Sequence, residues 1–594
     1  MVPPPAPTSW SWRLPRERKP ALRYVASDST AYELSYASLV STVDDLVARF
    51  TTSCPATSAL TQSEIEELRA DSFADDVDIP PDATSWSRED VERYFVSGGT
   101  DWPAAATTRP RAKLRCATAC TASTPFEYVA VLVAMSRLGH AIIPLRLVPG
   151  VTDAEISFHL RLSTCVFIVD LGALEWEMPA REVALVEQAV AMANARKLPQ
   201  HKISVRAATD GSALHRLILS PEAASTGGSD CGCCASTGGA DFLDDINVII
   251  HTTGSTGAPK AVALTDENIT ASLDNCAHAY GLHAADVTLL TQPLCTIGGL
   301  ITPLLSMLVL GGTVVIARFD VSRHWQMVVA YGITWYTGVP EMHAQLLDHH
   351  TAPDAPPVPV DHRVRFIRNG SGALAQHLVD ATAALFHTRM VVAYGMTEAT
   401  QLVCANPLDK PRAGSVGVPP PALKLRLFEP SEEGDDDDAS ATAPPMEVAG
   451  GADVVGEVCI AGPSVFHGYV DINQADQPGA CTADEAALGG DVHVACAHEG
   501  VFEVRPMEEL DAPGTFFIEA DGTRWFRTGD LGRRDADGYL FLQGRLKNMF
   551  KVNGFKVRPD DTRGSLARGG RCVRGHPCTH SRDACFCAYR SSPS

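Results

Sequence analysis

One sequence feature constrains the possible folds of this chain most. It is an apolar run followed by a loop rich in glycine, serine and threonine. Val248 to His251 is followed by Thr252-Thr253-Gly254-Ser255-Thr256-Gly257-Ala258-Pro259-Lys260. Glycine permits backbone conformations in which successive amides face an anion, and the hydroxyls add hydrogen-bond donors. We therefore predict a buried strand that opens into a phosphate-binding loop, with Lys260 as its cation. The alternative is an ordinary Gly/Ser turn, and the loop is not a Walker loop, because Gly-x-x-x-x-Gly-Lys-[Ser/Thr] is not matched.

A second polar turn follows the apolar run Val391 to Ala393. Tyr394 offers a flat face for a base, and Thr397 a hydroxyl for a phosphate. Glu398 offers the hard carboxylate oxygen that Mg²⁺ prefers. Taken alone, this pattern is also typical of a solvated surface turn.

Two further clusters lie near the end of the chain, at Trp525 to Gly532 and at Gly544 to Lys547. Asp537-Gly538-Tyr539 between them predicts a hairpin turn. The carboxylate of Asp530 can bind both hydroxyls of a ribose, and Arg545 can pair with a phosphate or ribose oxygen. For Arg545 and Lys547 the alternative is a solvated basic surface.

The four clusters, in this order and at these separations, resemble the adenylate-forming (AMP-binding) superfamily of acyl-CoA synthetases, 4-coumarate-CoA ligases, luciferases and nonribosomal adenylation domains. The resemblance covers roughly residues 113–561. Other matching segments are Trp335 to Pro340, Arg365 to Leu374, Gly414 to Gly417 and Gly456 to Val458. Tyr394 to Thr400 and Lys551 to Pro559 are most similar to CoA ligases of the coumarate and oxalate branch.

The resemblance implies an ATP-dependent carboxylic acid-CoA ligase that uses ATP, Mg²⁺ and the co-substrate CoA. The acid would first attack ATP to give an acyl-adenylate and pyrophosphate, and CoA would then displace AMP. Two alternatives remain open: a catalytically impaired nucleotide- or acyl-binding homologue, and a stand-alone adenylation enzyme that loads a carrier protein.

The resemblance also implies a role for each matching residue. Lys260 and the loop from Thr252 to Gly257 would hold the β- and γ-phosphates, Thr397 the α-phosphate and Glu398 the magnesium ion. Gly372, Ala373 and Tyr394 would bracket the adenine, and Asp530 and Arg545 would fix the ribose. Gly395 would be a further residue that binds the nucleotide. Lys547 would lie at the hinge of a small domain, and Lys551 and Lys556 would reach the nucleotide cleft. The loop residues included here are Thr252, Thr253, Gly254, Ser255, Thr256 and Gly257.

The implied fold class is α/β, and the pattern of the chain agrees with it. Phe126 to Leu138 has helical spacing and His140 to Leu145 follows as a strand-like run, which favours layered helices and sheets. The expected domains are an N-terminal extension with a divergent start (1–112), a large multi-subdomain AMP-binding domain (113–544), and the start of a truncated small α+β domain (545–561). An atypical Arg/Cys-rich tail covers residues 562–594.

Two departures from the family pattern stand out. Thr296 occupies the position where the family usually has a histidine of the acyl pocket, so the specificity for the acid cannot be transferred. The family would continue for on the order of a hundred residues beyond residue 561, through a second lysine segment. Cys572 and its neighbours match no standard zinc spacing, so we interpret the tail as a reading-frame or gene-model error rather than a domain.

Composition excludes several other classes of protein. The 594 residues carry a formal net charge of -22, which argues against general binding of nucleic acid or of an anionic membrane. The first twenty residues lack the apolar core of a secretory signal, and the 17 cysteines are scattered. We therefore expect the protein to be located in the cytosol or in a peroxisome-like organelle matrix.

Thr296 to Ala317 is apolar, but its glycines favour a buried helix, a turn and a strand over a membrane span. The sequence leaves the oligomeric state open.

Overall fold

The protein has a mixed α/β fold, which confirms the predicted fold class. The structure is a computed structural model. It describes residues 14–15, 19–25, 31–53, 115–121, 123–148, 150–163, 165–171, 178–198, 200–207, 215–219, 246–253, 259–355, 357–358, 361–430, 445–448, 454–470, 495–497, 500–502, 515–546, 550–552 and 555–557. The tail at residues 562–594 lies outside these ranges.

Helices alternate with strands along much of the chain. The helices are α1 Tyr36–Ser53, α2 Pro125–Arg137, α3 Asp153–Arg161, α4 Ala180–Ala195, α5 Asp266–Tyr280, α6 Ile297–Leu300, α7 Met307–Leu310, α8 His324–Ala330, α9 Pro340–Thr351 and α10 Gln376–Leu385. A π-helical turn, Ile301–Ser306, joins α6 to α7, and a 3₁₀ turn covers Thr397–Ala399.

The strands fall into two long mixed sheets and several smaller ones. The strands before residue 300 are β1 Pro20–Val25, β2 Ala31–Ser35, β3 Arg115–Cys120, β4 Ala141–Arg146, β5 Cys165–Val169, β6 Gln200–Ala207, β7 His215–Leu219, β8 Ile246–Thr253, β9 Pro259–Thr265 and β10 Val287–Leu290. The later strands are β11 Thr313–Ala317, β12 Trp335–Gly338, β13 Phe366–Asn369, β14 Arg389–Met396, β15 Gln401–Ala405, β16 Lys424–Phe428, β17 Gly456–Ala461, β18 Gly468–Val470, β19 Ala495–Ala497, β20 Gly500–Phe502, β21 Phe516–Ile518, β22 Arg524–Arg534, β23 Leu540–Arg545, β24 Phe550–Val552 and β25 Phe555–Val557.

The chain divides into two compact units. The first comprises Met1–Lys424 and Ala461–Phe516, and the second comprises Leu425–Ile460 and Phe517–Ser594. The predicted start of the small domain, residue 545, lies within the second unit. The domain boundaries inferred from the sequence therefore remain predictions.

Two long sheets form the framework of the first unit. In the described part of the chain, one has the strand order β15-β14-β13-β12-β10-β11-β1-β2, and the other has the order β18-β9-β8-β4-β3-β5-β6-β7. Strands β12, β13 and β14 are parallel neighbours, so their carboxyl ends lie along one edge. Ligands commonly bind at that edge of an open α/β sheet.

Helices bury the faces of both sheets. Trp325 of α8, Leu346 of α9 and Phe386 after α10 pack with Tyr336 of β12 in one core. Val186 of α4 and Ile156 of α3 pack on Val166 of β5 in another. Burying large apolar side chains in this way supplies the main favourable free energy of folding.

Local sequence explains where several helices begin and end. Thr152 and Glu155 form a capping box at the start of α3, and Thr265 and Asn268 form one at the start of α5. Helix α5 ends at Gly281, whose φ of +54° favours glycine. Helix α2 is buried on all sides, and it confirms the helix predicted from Phe126 to Leu138.

The apolar segment from Thr296 to Ala317 is confirmed as helical turns, a glycine turn and a buried strand. Helices α6 and α7 flank the π-helical turn, and Gly311, at a φ of +78°, reverses the chain into β11. Within the ranges that the structure describes, no helix combines the length and apolar character needed to cross a membrane.

Candidate active site

Strands β8 and β9 form the antiparallel hairpin that carries the predicted phosphate-binding loop. Val248, Ile249 and Ile250 are buried, which confirms the predicted core strand. Thr252 pairs with Lys260, and Thr253 pairs with Pro259, at the open end of the hairpin. These four residues therefore extend the two strands, which corrects the prediction that the loop begins at Thr252 and ends at Lys260. Gly254, Ser255, Thr256 and Gly257 lie outside the described residues. Their predicted role in phosphate binding therefore stays a prediction.

The side chain of Lys260 is half-buried and has no carboxylate partner among the residues with described side chains. It makes a cation–π contact with Tyr469, since Nζ lies 4.4 Å from the centroid of the ring. A cation held over a ring face keeps its full charge. Lys260 is therefore available to an anionic ligand.

Three neighbouring strands bring the next group of predicted residues to one edge. Gly338 at the end of β12 pairs with Asn369 at the end of β13, and Asn369 pairs with Val392 of β14. Beyond β13, the amide of Asn369 donates a hydrogen bond of 2.8 Å to the carbonyl oxygen of Gly372. Gly372 and Ala373 are exposed there, so their backbone is accessible to a planar base.

Strand β14 ends in a bulge at Tyr394 and Gly395. Tyr394 is 8% exposed, and the 3₁₀ turn that begins at Thr397 follows directly. Tyr394, Thr397 and Glu398 lie within five consecutive residues of the chain. They therefore all lie near the carboxyl end of β14. The sequence alone predicted this strand and turn.

The turn after Glu398 has an unusual backbone. Thr400 and Gln401 both have positive φ angles, +48° and +97°. Such conformations cost a non-glycine residue about 1–3 kcal/mol each and persist only where the surroundings hold them. The Thr400 hydroxyl donates to the carbonyl oxygen of Ser464 at 2.8 Å, and the Ser272 hydroxyl donates to the carbonyl oxygen of Thr400. Backbone strain of this kind clusters at functional sites.

The two carboxylate oxygens of Glu398 differ in their hydrogen bonding. The Tyr469 hydroxyl donates a hydrogen bond of 2.7 Å to Oε1 of Glu398. Oε2 makes no hydrogen bond to any residue that the structure describes. Mg²⁺ in nucleotide sites is usually bound by one or two carboxylates together with phosphates and waters, so a single open carboxylate oxygen fits it. No group of three or more His, Cys, Asp or Glu side chains arranged for a metal occurs within the described ranges.

The second unit carries Asp530 and Arg545 on adjacent antiparallel strands. The two residues are paired directly between β22 and β23, and Arg545 Nε lies 3.0 Å from Asp530 Oδ1. Asp530 is largely buried, whereas the Arg545 side chain is half-exposed. The hairpin predicted around Gly538 is confirmed.

A buried ion pair supports the turn that presents Asp530. Arg527 Nε donates to Glu457 Oε2 at 2.9 Å, and the amide of Gly529 donates to Glu457 Oε1 at 3.2 Å. Gly529 has a φ of +70°, which favours glycine. The Thr528 hydroxyl accepts from the amide of Asp530 at 3.1 Å. The sequence flagged Gly456 to Val458 as a segment, but it did not assign Glu457 this supporting role.

Three predicted lysines lie towards the end of the chain. Lys551 of β24 and Lys556 of β25 pair across a short hairpin, and their side chains are not described. Lys547 lies outside the described residues. Sequence reasoning also missed Tyr469, which contacts both Lys260 and Glu398. A tyrosine after Gly468, in a short apolar run, was its only local signal.

Comparison with known proteins gives consistent matches. A family model described as AMP-binding enzyme matches residues 119–470. Oxalate–CoA ligase of Arabidopsis thaliana is 30% identical over 439 residues, which are 73% of this chain and 69% of that protein. A probable CoA ligase of Humulus lupulus, CCL9, is 32% identical over 321 residues, which are 53% of this chain and 50% of that protein.

A solved structure agrees in fold. ATP-bound MatB from Rhodopseudomonas palustris superposes with a TM-score of 0.59, at 19% identity, over 95% of this chain and 84% of that one. At this identity the likeness concerns the fold alone. By sequence, this chain spans about half the length of several curated relatives, among them the Humulus protein.

Proposed function

Because the chain belongs to the AMP-binding enzyme family, as its motifs predicted, we propose that it is an ATP-dependent carboxylic acid-CoA ligase. It forms an acyl-adenylate from a carboxylic acid and ATP, and then a thioester with CoA. The curated relatives named above as CoA ligases support this activity.

One observation in this chain carries the proposal. Lys260, a cation without a carboxylate partner among the described side chains, and Glu398, a carboxylate with one open oxygen, both contact the same side chain, Tyr469. A cation for phosphate oxygens and an anionic ligand for a metal ion are thus held side by side. That combination suits the triphosphate of a nucleotide bound with Mg²⁺.

In the first step, a carboxylate oxygen of the acid attacks the α-phosphorus of ATP. The bond from that phosphorus to the bridging oxygen breaks, and pyrophosphate leaves with the electron pair. Negative charge builds up on the phosphate oxygens, so Lys260 and the hydroxyls of Thr252, Thr253 and Thr397 stabilise the transition state. Mg²⁺ bound at Glu398 would neutralise part of the same charge.

In the second step, the thiolate of CoA, which has already lost its proton, attacks the acyl carbon. The bond from that carbon to the phosphate oxygen of AMP breaks, and AMP leaves with the electron pair. The nucleotide must stay oriented through both steps. We assign adenine to Gly372, Ala373, Tyr394 and Gly395, and ribose to the Asp530–Arg545 pair. Lys547, Lys551 and Lys556 keep the hinge and cleft roles that the resemblance implies. The loop residues Gly254, Ser255, Thr256 and Gly257 keep their phosphate role on the same basis.

The first half-reaction gives the most direct test. Carboxylate-dependent exchange of labelled pyrophosphate into ATP is measured with oxalate, malonate, an aromatic acid and a medium-chain acid. Lys260→Ala is expected to lower the exchange rate at least about 100-fold, because it removes a cation from the transition state. Lys202→Ala, on an exposed part of β6, is the matched control and is expected to leave the rate unchanged.

The second half-reaction separates thioester formation from other fates of the adenylate. Release of AMP that depends on added CoA supports the ligase. AMP release that needs a carrier protein instead would assign the chain to carrier loading, and ATP binding without exchange would assign it to the binding proteins. Loss of exchange in Lys202→Ala equal to that in Lys260→Ala would contradict the assignment of Lys260.

We place the enzyme in a reducing compartment, the cytosol or an organelle matrix. Cys116, Cys120 and Cys276 support this location, because they are buried free thiols. Quantitative thiol alkylation under denaturing conditions, without prior reduction, tests the expected free state.

A further inference from the structure

Tyr469 contacts two residues of the candidate site that lie on different elements, Lys260 of β9 and Glu398 of the 3₁₀ turn. Its hydroxyl donates to Glu398 Oε1 at 2.7 Å, and its ring centroid lies 4.4 Å from Lys260 Nζ. One side chain thereby contacts the cation assigned to the phosphates and the carboxylate assigned to the metal ion. The two contacts use different parts of tyrosine, the hydroxyl and the ring face.

Strand β18 holds the backbone of Tyr469 against the hairpin formed by β8 and β9. Tyr469 pairs with Val262 of β9, and Gly468 and Val470 pair with Ala263 and Ala261. Lys260 lies at the neighbouring position of β9. This register therefore fixes the position of Tyr469 along β9, the strand that carries Lys260.

The residues just before β18 are bonded to the other side of the site. The amide of Phe466 donates to the carbonyl oxygen of Glu398 at 2.8 Å, and the Thr400 hydroxyl donates to the carbonyl oxygen of Ser464. The Asn268 amide, at the start of α5, donates to the carbonyl oxygens of Pro463 and Val465. Residues 463–470, the bridging segment, thus connect the two long sheets at the site.

The Phe466 ring supports the Tyr469 ring from within the same segment. Their centroids lie 4.9 Å apart at an interplanar angle of 68°, an edge-to-face contact. A ring packed in this way has few alternative rotamers. The ring contact and the hydrogen bond to Glu398 together restrain the Tyr469 side chain.

We propose that Tyr469 is a positioning residue that sets the spacing of Lys260 and Glu398 for Mg²⁺-ATP, an inference that rests on the proposed function. The hydroxyl orients the Glu398 carboxylate through Oε1, which would leave Oε2 to bind the metal ion. The ring holds the ammonium of Lys260 without neutralising it. A carboxylate in the place of the ring would compete with the phosphates for that charge.

Two variants separate the hydroxyl from the ring. Tyr469→Phe keeps the ring beneath Lys260 and removes the hydrogen bond to Glu398, whereas Tyr469→Leu removes both. Tyr331→Phe, at the end of α8 where the ring lies against Arg23, is the matched control for loss of a tyrosine hydroxyl. ATP binding to the full chain is measured by calorimetry, first in EDTA and then over a series of Mg²⁺ concentrations. Thermal unfolding is followed in parallel.

Tyr469→Phe is expected to bind ATP in EDTA within about twofold of wild type, while the Mg²⁺ concentration for half-maximal enhancement rises about tenfold, as loss of a hydrogen bond to a charged group predicts. Tyr469→Leu is expected to weaken binding in EDTA as well, by about fivefold, because the Lys260 contact is lost. Tyr331→Phe is expected to match wild type in both measurements.

An unshifted Mg²⁺ dependence in Tyr469→Phe would overturn the assignment. So would equal weakening with and without Mg²⁺ in Tyr469→Phe, since that result indicates a purely structural role. Failure of the wild-type chain to bind ATP at all would overturn the proposed function together with this inference. Failure of the inference appears only in the Tyr469 variants, whereas failure of the proposed function appears already in the wild-type protein.

Discussion

At the scale of single residues, Gly395 has a packing reason to be glycine. A Cβ at this position would lie 1.8 Å from the carbonyl oxygen of Gln401, because the bulge in β14 brings the two backbones together. The sequence predicted Gly395 as part of the nucleotide site. The structure adds a steric requirement that holds whether or not nucleotide is bound.

Gly395→Ala is therefore expected to lower the free energy of unfolding by about 2–3 kcal/mol, as overpacking against backbone does. Gly298→Ala is the matched control, because its Cβ would meet Gln292 and Ser371 at 3.4 and 3.5 Å, ordinary contact distances. Urea denaturation of the three proteins measures the difference. Equal stability of the two variants would show that the bulge relaxes at little cost.

Thr296 also has a local role that the sequence did not predict. Its hydroxyl accepts a hydrogen bond from the amide of Gly299 and donates one to the carbonyl oxygen of Pro293, so it caps α6. Both contacts are with its own turn. The altered acyl pocket that the sequence predicted at this position remains a prediction.

At the scale of elements, the sheet of the second unit presents Asp530 through a cross-strand ion pair. Glu457 of β17 is 2% exposed and accepts from the Arg527 guanidinium and the Gly529 amide on β22. The Thr528 hydroxyl also donates to the carbonyl oxygen of Val458 at 2.7 Å. Asp530 thus depends on the pairing of two strands that are distant in the sequence.

Glu457→Gln is expected to lower the free energy of unfolding by about 3 kcal/mol, because a largely buried guanidinium loses its counter-charge. Glu447→Gln, which touches Arg426 on an exposed face at 3.4 Å, is the control and is expected to cost less than about 1 kcal/mol. Urea denaturation followed by tryptophan fluorescence reports on this unit through the buried Trp525. A change below 1 kcal/mol in Glu457→Gln would contradict the supporting role of this pair.

At the scale of the whole molecule, buried histidines make the fold sensitive to acid. Burial lowers the pKa of His324 to about 3, and it lowers the pKa of His159 and of His343 to about 4. Both ring nitrogens of His324 lack a hydrogen-bond partner among the residues that are described. The folded chain therefore keeps these side chains neutral where the unfolded chain would protonate them.

In the unfolded chain histidine has a pKa of about 6.5, so between about pH 6.5 and pH 3 the unfolded state binds more protons at His324 than the folded state. The free energy of unfolding must fall as the pH falls through this window. His324→Phe is expected to reduce the loss of stability between pH 7 and pH 5 by about 2 kcal/mol. Exposed His377→Phe is the control, and identical pH profiles for both variants would refute the assignment.

The sequence by itself determined the elements and the order of the motifs. Apolar periodicity predicted α2, β4, β8 and the 296–317 segment, and glycine chemistry predicted the hairpin at Gly538, because these features depend on residues within a few positions of one another. The family followed from four clusters in a fixed order. Lys260, Thr397 and Glu398 were found because each belongs to a polar segment that follows a strand-like run.

Only the tertiary structure decided which distant side chains complete the site. Tyr469 and Glu398 are 71 residues apart, and Glu457 and Arg527 are 70 apart, so no local pattern links them. Their contacts exist because β18 pairs with β9 and β17 pairs with β22. Strand pairing and burial are properties of the whole packed chain, and for that reason the fold, rather than the motif, brings Tyr469 to Lys260 and Glu398.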